Sequence, residues 1–214
     1  MARKNLTANQ AAAADRLLER AFPELRQASR RSVLRHALTL FNADGIEATT
    51  IDDLRRACGQ SVGTIYHHFK NKEGVVAALF FAAFDDQSQA IATRVAGLDD
   101  GHAVVDALIG AYADWITKQP ECAHFLFLAR ESVAQGPHAQ DLHDRLVARY
   151  RPIDEVLARD AAAGRILPLP EDLIPSLVLG ATESYARGWL VGRRQATPSS
   201  YAQRLALAAW RSIT

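Results

Sequence analysis

Residues 61–74 read SVGTIYHHFKNKEG and gather two hydroxyls, a phenol, two imidazoles and two ammonium groups into fourteen positions. These groups share one chemistry: they donate hydrogen bonds to phosphate oxygens and to the edges of bases. They do not assemble a catalyst. His67 and His68 are adjacent, whereas a helix offers two histidines to one metal at a spacing of three or four. His124 and His143 read as satisfied or solvated histidines. No nucleophile with its base, no paired carboxylates and no phosphate loop can be built from the chain, so an enzyme is excluded and neither metal nor cofactor is expected.

At about 100° per residue, Val62, Ile65 and Phe69 form one narrow apolar stripe. Thr64, His67 and His68 take the opposite side, flanked by Gly63 and Tyr66, with Ser61 as N-cap and Lys70 and Lys72 beyond the end. Glycine at 63 lets a backbone come close to the helix surface. Such a helix needs a platform, and the preceding residues supply one. In TTIDDLRRACG, Thr50 is an N-cap and Asp53 its capping-box acid, Ile51, Leu54 and Cys58 form the buried stripe, and Gly59 is the stop. Only Gln60 separates Gly59 from Ser61. Two short helices joined by so tight a turn make a helix-turn-helix.

Upstream, Ser29 and Ser32 precede VLRHALTLFNADG, a helix with Val33, Ala37, Leu40 and Phe41 on its apolar face and Gly45 as its stop. The segment LTANQAAAADRLLERAF predicts a further helix, capped by Thr7 and ended by Pro23. Downstream, Asn71 caps a long helix running to about Gly97, with Val76, Leu79, Phe80, Ala83 and Phe84 apolar. More helices are predicted at 102–118, 121–134, 138–163, 171–193 and 199–213, bounded by proline and glycine. The fold class is all-α. The N-terminal extension spans 1–28, the helix-turn-helix domain 29–75 and a helical body 76–214.

Residues 29–79, with Gly45, Thr49-Thr50, Gly59, Gly63 to Tyr66, His68-Phe69 and Lys72-Glu73 in order, resemble the DNA-binding domain of the TetR family of bacterial regulators, whose signature YxHFxxKE stands here as YHHFKNKE. The resemblance implies that Thr50 caps the second helix and touches phosphate, that Ser61, Thr64 and His67 face bases, and that Tyr66, His68 and Lys72 hold phosphates. It implies a homodimer on a palindromic operator in double-stranded DNA, repression, and release by a small-molecule effector. The alternative is a regulator of the same fold governed by a protein partner or acting constitutively. Gln60 departs from the apolar residue usual there. Arg30 and Arg31 are candidates for a phosphate or minor-groove arm, or for a solvated tail.

The body offers less. Gly180, Ser184, Gly188 and Gly192 recur every four residues, and glycine costs up to about 1 kcal/mol per helical position, so the ridge needs a partner helix, in a second copy or within the chain. Leu205, Ala208 and Ala209 of the last helix could complete that interface. Tyr112, Trp115, His124, Phe125, Phe127, Arg130, Tyr150, Tyr185 and Trp189 have the composition of an effector pocket, and equally of a core.

Charge and composition agree with this division. Residues 1–72 hold 12 basic and 7 acidic side chains and residues 73–214 hold 13 and 17, within a net charge of +1. A basic front third is the footprint of a polyanion-binding module or of a solvated face. Cys58 and Cys122 match no metal spacing and read as small apolar residues in a reducing compartment. With no signal peptide and no run of about eighteen apolar residues, the expected location is the cytoplasm.

Overall fold

The computed structural model describes residues 8–170 and 172–214. Among the described residues all regular structure is helical. The helices are α1 (Ala8–Ala21), α2 (Ala28–Asp44), α3 (Ile51–Cys58), α4 (Val62–Phe69), α5 (Lys72–Val95), α6 (Gly101–Lys118), α7 (Pro120–Gln135), α8 (Ala139–Ala162), α9 (Ile174–Leu190) and α10 (Ala202–Arg211), with 3-10 turns at Leu25–Gln27 and Pro198–Tyr201. No helix among them is long and apolar enough to cross a membrane. Packing divides the chain into two compact units that do not follow chain order: residues 1–86 with 118–142, and residues 87–117 with 143–214.

In the first unit, α1 forms because alanine, leucine and arginine are the best helix formers. It buries Ala13, Ala14, Leu17 and Leu18, and packs on α2 and α7. Arg20 pairs with Asp86 at 2.6 Å, and the Gln119 amide donates to the Ala13 carbonyl at 3.2 Å. The expected cap Thr7 lies outside the described residues. Helix α2 begins at Ala28, one residue before Ser29, and buries Val33, Leu34, Ala37, Leu38 and Phe41. Leu40, assigned to that face from sequence, stays partly exposed because α2 is covered on the adjoining side by α1 and α7 as well as by α3. Gly45 ends it at φ +91°. The Asn71 side chain accepts from the Gly74 backbone at 2.8 Å and so caps α5. At Gly74 an added Cβ would fall 1.9 Å from the Phe69 carbonyl oxygen, so glycine lets α5 start against the end of α4.

In the second unit, α6 is buried along Val104, Val105, Leu108, Ile109, Tyr112, Trp115 and Ile116. Asp160 of α8, 1% exposed, accepts from the Gly101 backbone at 3.0 Å and from Arg165. A Cβ at Gly101 would stand 2.3 Å from that carboxylate. The helix expected at 199–213 divides into the Pro198 turn and α10. Helix α9 stops at Leu190, and Gly192 lies beyond it at φ +78°.

That stop changes the small-residue ridge. Gly192 belongs to a turn that its left-handed backbone requires. Gly188 is covered from its own chain, since an added Cβ would meet Arg194 Nε at 2.6 Å, whereas nothing lies within 4 Å of one at Gly180. Ala209, expected on the interface, is buried at 2% where α10 packs on α9. The exposed side of α10 carries Leu207 and Ala208 instead, with Leu205 partly exposed.

Candidate nucleic-acid interface

Helix α3 is two turns long and depends on its ends. Thr50, extended at φ −104° and ψ 165°, accepts from the Asp53 backbone at 3.2 Å. The Asp53 carboxylate takes the Thr50 N–H at 2.9 Å and the Thr50 hydroxyl at 2.6 Å, and these bonds hold its pKa below the ordinary carboxylate range. The capping box is complete, so phosphate would have to compete for the Thr50 hydroxyl. Leu54 is fully buried. Arg55 pairs with Asp52 at 2.7 Å, and Arg56 with Asp52 at 2.8 Å and Asp53 at 3.3 Å. Gly59 closes the helix at φ +67°.

Gln60, the departure in the turn, accepts from the Ser29 hydroxyl at 3.1 Å and ties the turn to the first residues of α2. Ser61 then caps α4, taking the Thr64 backbone at 3.0 Å and standing 2.9 Å from the Thr64 hydroxyl. Ile65 and Phe69 anchor α4 in the unit. Val62, placed in that stripe from sequence, is 40% exposed because it occupies the first position of the helix, at the tip of the turn. Gly63, Tyr66 and His67 are exposed, and Thr64 and His68 partly so.

Burial, with the charges of His67 and Arg30, lowers the pKa of His68, so its imidazole is neutral near pH 7 and offers a single donor. Lys70 adopts φ +66° at the end of α4 and is exposed. A lysine rarely takes the left-handed backbone that glycine accepts at no steric cost.

Two expected contacts are engaged within the chain. Lys72 Nζ donates to the carbonyls of Ile46 at 3.0 Å and Glu47 at 3.3 Å, fastening the α2–α3 loop to the start of α5. Arg31 donates to the carbonyls of Phe22 and Glu24, so it braces the segment after α1 rather than forming a free arm. Arg30 lies over the rings of Phe22 at 4.5 Å and Phe69 at 5.5 Å. Sequence reading missed this brace; the aromatic at 22 followed by two arginines was its one trace.

The effector candidates divide between the units. In the first, Phe125 stacks on Phe41 at 5.7 Å, His124 is 3.2 Å from the Asn42 side chain, and Arg130 is exposed. Burial lowers the His124 pKa. In the second, Trp115 and Trp189 are buried, and Tyr112 donates to Glu183 at 3.0 Å. Burial first, then Glu183 and Tyr150, push the Tyr112 phenol well above its ordinary pKa. Tyr185 donates to the Ala196 carbonyl at 3.0 Å beneath Arg194. A groove of about 560 Å³ runs along α9, lined by Gly180, Glu183, Ser184, Arg187, Gly188, Val191, Arg193 and Arg194. No group of His, Cys, Asp and Glu among the described residues could hold a metal.

A capped α3, a three-residue turn and a capped α4 with a polar outer face, carried on an all-helical chain, define a helix-turn-helix protein. Residues 33–79 match the model of the bacterial regulatory proteins of the tetR family. The HTH-type transcriptional repressor AcnR of Corynebacterium efficiens is 32% identical over 143 residues, 64% of this chain and 69% of that one. The repressor KstR2 of Rhodococcus jostii is 36% identical over 80 residues, 37% of this chain and 39% of that protein, so that match spans well under half of its length. A TetR family transcription regulator from Marinobacter aquaeolei VT8 has the same fold, with a TM-score of 0.74 at 18% identity over 88% of this chain and 96% of that one. The chain belongs to the TetR family of bacterial transcriptional regulators, DNA-binding proteins rather than enzymes.

Proposed function

We propose that the protein is a homodimeric repressor that places α4 of each protomer in successive major grooves of a palindromic operator. The observation that carries this is the outer surface of α4. It is capped at Ser61, anchored by Ile65 and Phe69, and left exposed at Gly63, Tyr66 and His67. Ser61, Thr64 and His67 are the base-facing candidates. Thr50, Tyr66, His68 and Lys70 are the phosphate candidates, and Lys72 holds the loop that presents Thr50. The half-site spacing would be about 34–36 Å or a multiple of it.

Dimerisation through α9 and α10 is supported by the open surface at Gly180 and the exposed Leu207 and Ala208. For an effector, the Tyr112–Glu183 pair, a buried phenol bonded to a part-buried carboxylate, is the strongest candidate, because polar groups set in an apolar helical unit orient a ligand. A ligand preferring the DNA-incompetent state would release the operator, and equal affinity would shift nothing. The test is selection of bound fragments from the genomic region flanking the coding sequence, repeated with candidate metabolites. Enrichment of a palindrome supports the reading; no enrichment at low salt overturns it.

A further inference from the structure

We propose that the turn Glu24–Gln27 is a second DNA contact, with Leu25 packing on deoxyribose at the edge of the minor groove and Arg26 reaching a phosphate beside it. This rests on the reading of α4 as the groove-reading helix. Leu25 is 89% exposed, while no other large apolar side chain described as exposed exceeds 56%. Leucine so fully in water is costly to explain on a floppy tip, and this turn is braced. The Gln27 N–H donates to the Glu24 carbonyl at 2.9 Å, and Arg31 donates to the carbonyls of Phe22 and Glu24. Arg30 clasps the Phe22 ring.

The position of the turn is set by α2. Ser29 bonds Gln60, next to the cap of α4, and Arg30 lies 5.5 Å from the ring of Phe69 at its far end. The first turn of α2 therefore touches both ends of the reading helix. Leu25 stands four residues before Ser29, about 6–8 Å along a helical path. Residues 24–31 hold three arginines and one glutamate, so charge favours a polyanion there. The Arg26 side chain, 80% exposed, pairs with the Glu24 carboxylate, and phosphate would take it over. An apolar wedge beside a guanidinium is the pairing that minor-groove contacts use.

The test uses the full chain and its selected operator, titrated by anisotropy over a range of salt. Arg26→Ala should weaken binding about tenfold and lower the salt slope by about 0.9 for each protomer, one phosphate apiece. Leu25→Ala should weaken it about threefold at unchanged slope, and Glu24→Gln, which releases Arg26, should tighten it. Hydroxyl-radical protection flanking each half-site should disappear in Arg26→Ala. Both side chains are exposed, so unchanged melting temperatures verify the fold. If the variants keep wild-type affinity, slope and footprint, the turn is only a solvated surface and the proposal fails while the reading of α4 stands. If the wild-type chain selects no operator, both fail together.

Discussion

At the scale of the residue, the site separates side chains held by the protein from those left to meet a partner. Tyr66 is 49% exposed. Replacing it with alanine should cost operator affinity more than tenfold and leave the melting temperature and the dimer unchanged; wild-type affinity in a gel-shift titration would remove Tyr66 from the interface. Lys72 behaves differently. Its ammonium serves two carbonyls, so Lys72→Ala should lower unfolding free energy by about 2 kcal/mol in urea, in addition to any loss of DNA affinity. Asp160 is the clearest acid-sensitive group. Its pKa is lowered first by the Arg165 hydrogen bond and then by the Gly101 N–H, so the stability it contributes is complete above the unfolded-state value near 3.8 and lost as pH falls through the folded one. Urea titrations between pH 6 and about pH 3 should show Asp160→Asn losing the steepest part of that decline. The capping pairs were legible because Thr50-x-x-Asp53 and Ser61-x-x-Thr64 are local signals. The engagement of Arg31 and Lys72 was not, since their acceptors are backbone carbonyls 7 to 26 residues away that no spacing rule marks.

At the scale of the element, periodicity and punctuation were enough to locate the helices, and the errors fall where three-dimensional context overrides them. Val62 matched the buried stripe by angle but sits at a helix tip with nothing above it. Gly192 matched the four-residue ridge but terminates α9. The ridge now makes a sharper prediction at its two helical glycines. If a partner helix covers Gly180, Gly180→Leu should weaken the dimer at least tenfold by sedimentation at micromolar concentration. If nothing covers it, Gly180→Ala should stabilise the protomer by up to about 1 kcal/mol through helix propensity alone, with the dimer unchanged. Gly188→Ala should have little effect on the dimer, because the atom in its way is the movable end of Arg194.

At the scale of the whole molecule, the charge division read from composition has its counterpart in the basic first third that carries α3 and α4. Operator affinity should fall linearly with salt on logarithmic axes, and Lys70→Ala should reduce the slope by about 0.9 for each protomer, since Lys70 has no ion pair among the described residues. A slope identical to wild type would place Lys70 off the phosphates. The effector pocket was the least legible part, because aromatic side chains at helical spacing serve a core and a cavity alike; Phe125 turned out to stack inside the first unit and Tyr112 to pair with Glu183 in the second.

The docking of α1 has a further consequence. Arg35 of α2 is held by Asp15 of α1 at 3.0 Å and by Glu121 of α7 at 3.2 Å, and Leu17 and Leu18 are covered completely beneath the same helix. Residues 8–21 are therefore structural stock rather than an appendage that evolution could trim. Translation from an internal start would bare a greasy seam on α2 and α7 and strand the Glu121–Arg35 pair without its third member. Such a shortened product would be recognised in a cell by its insolubility and its rapid clearance, before any question of gene control arose.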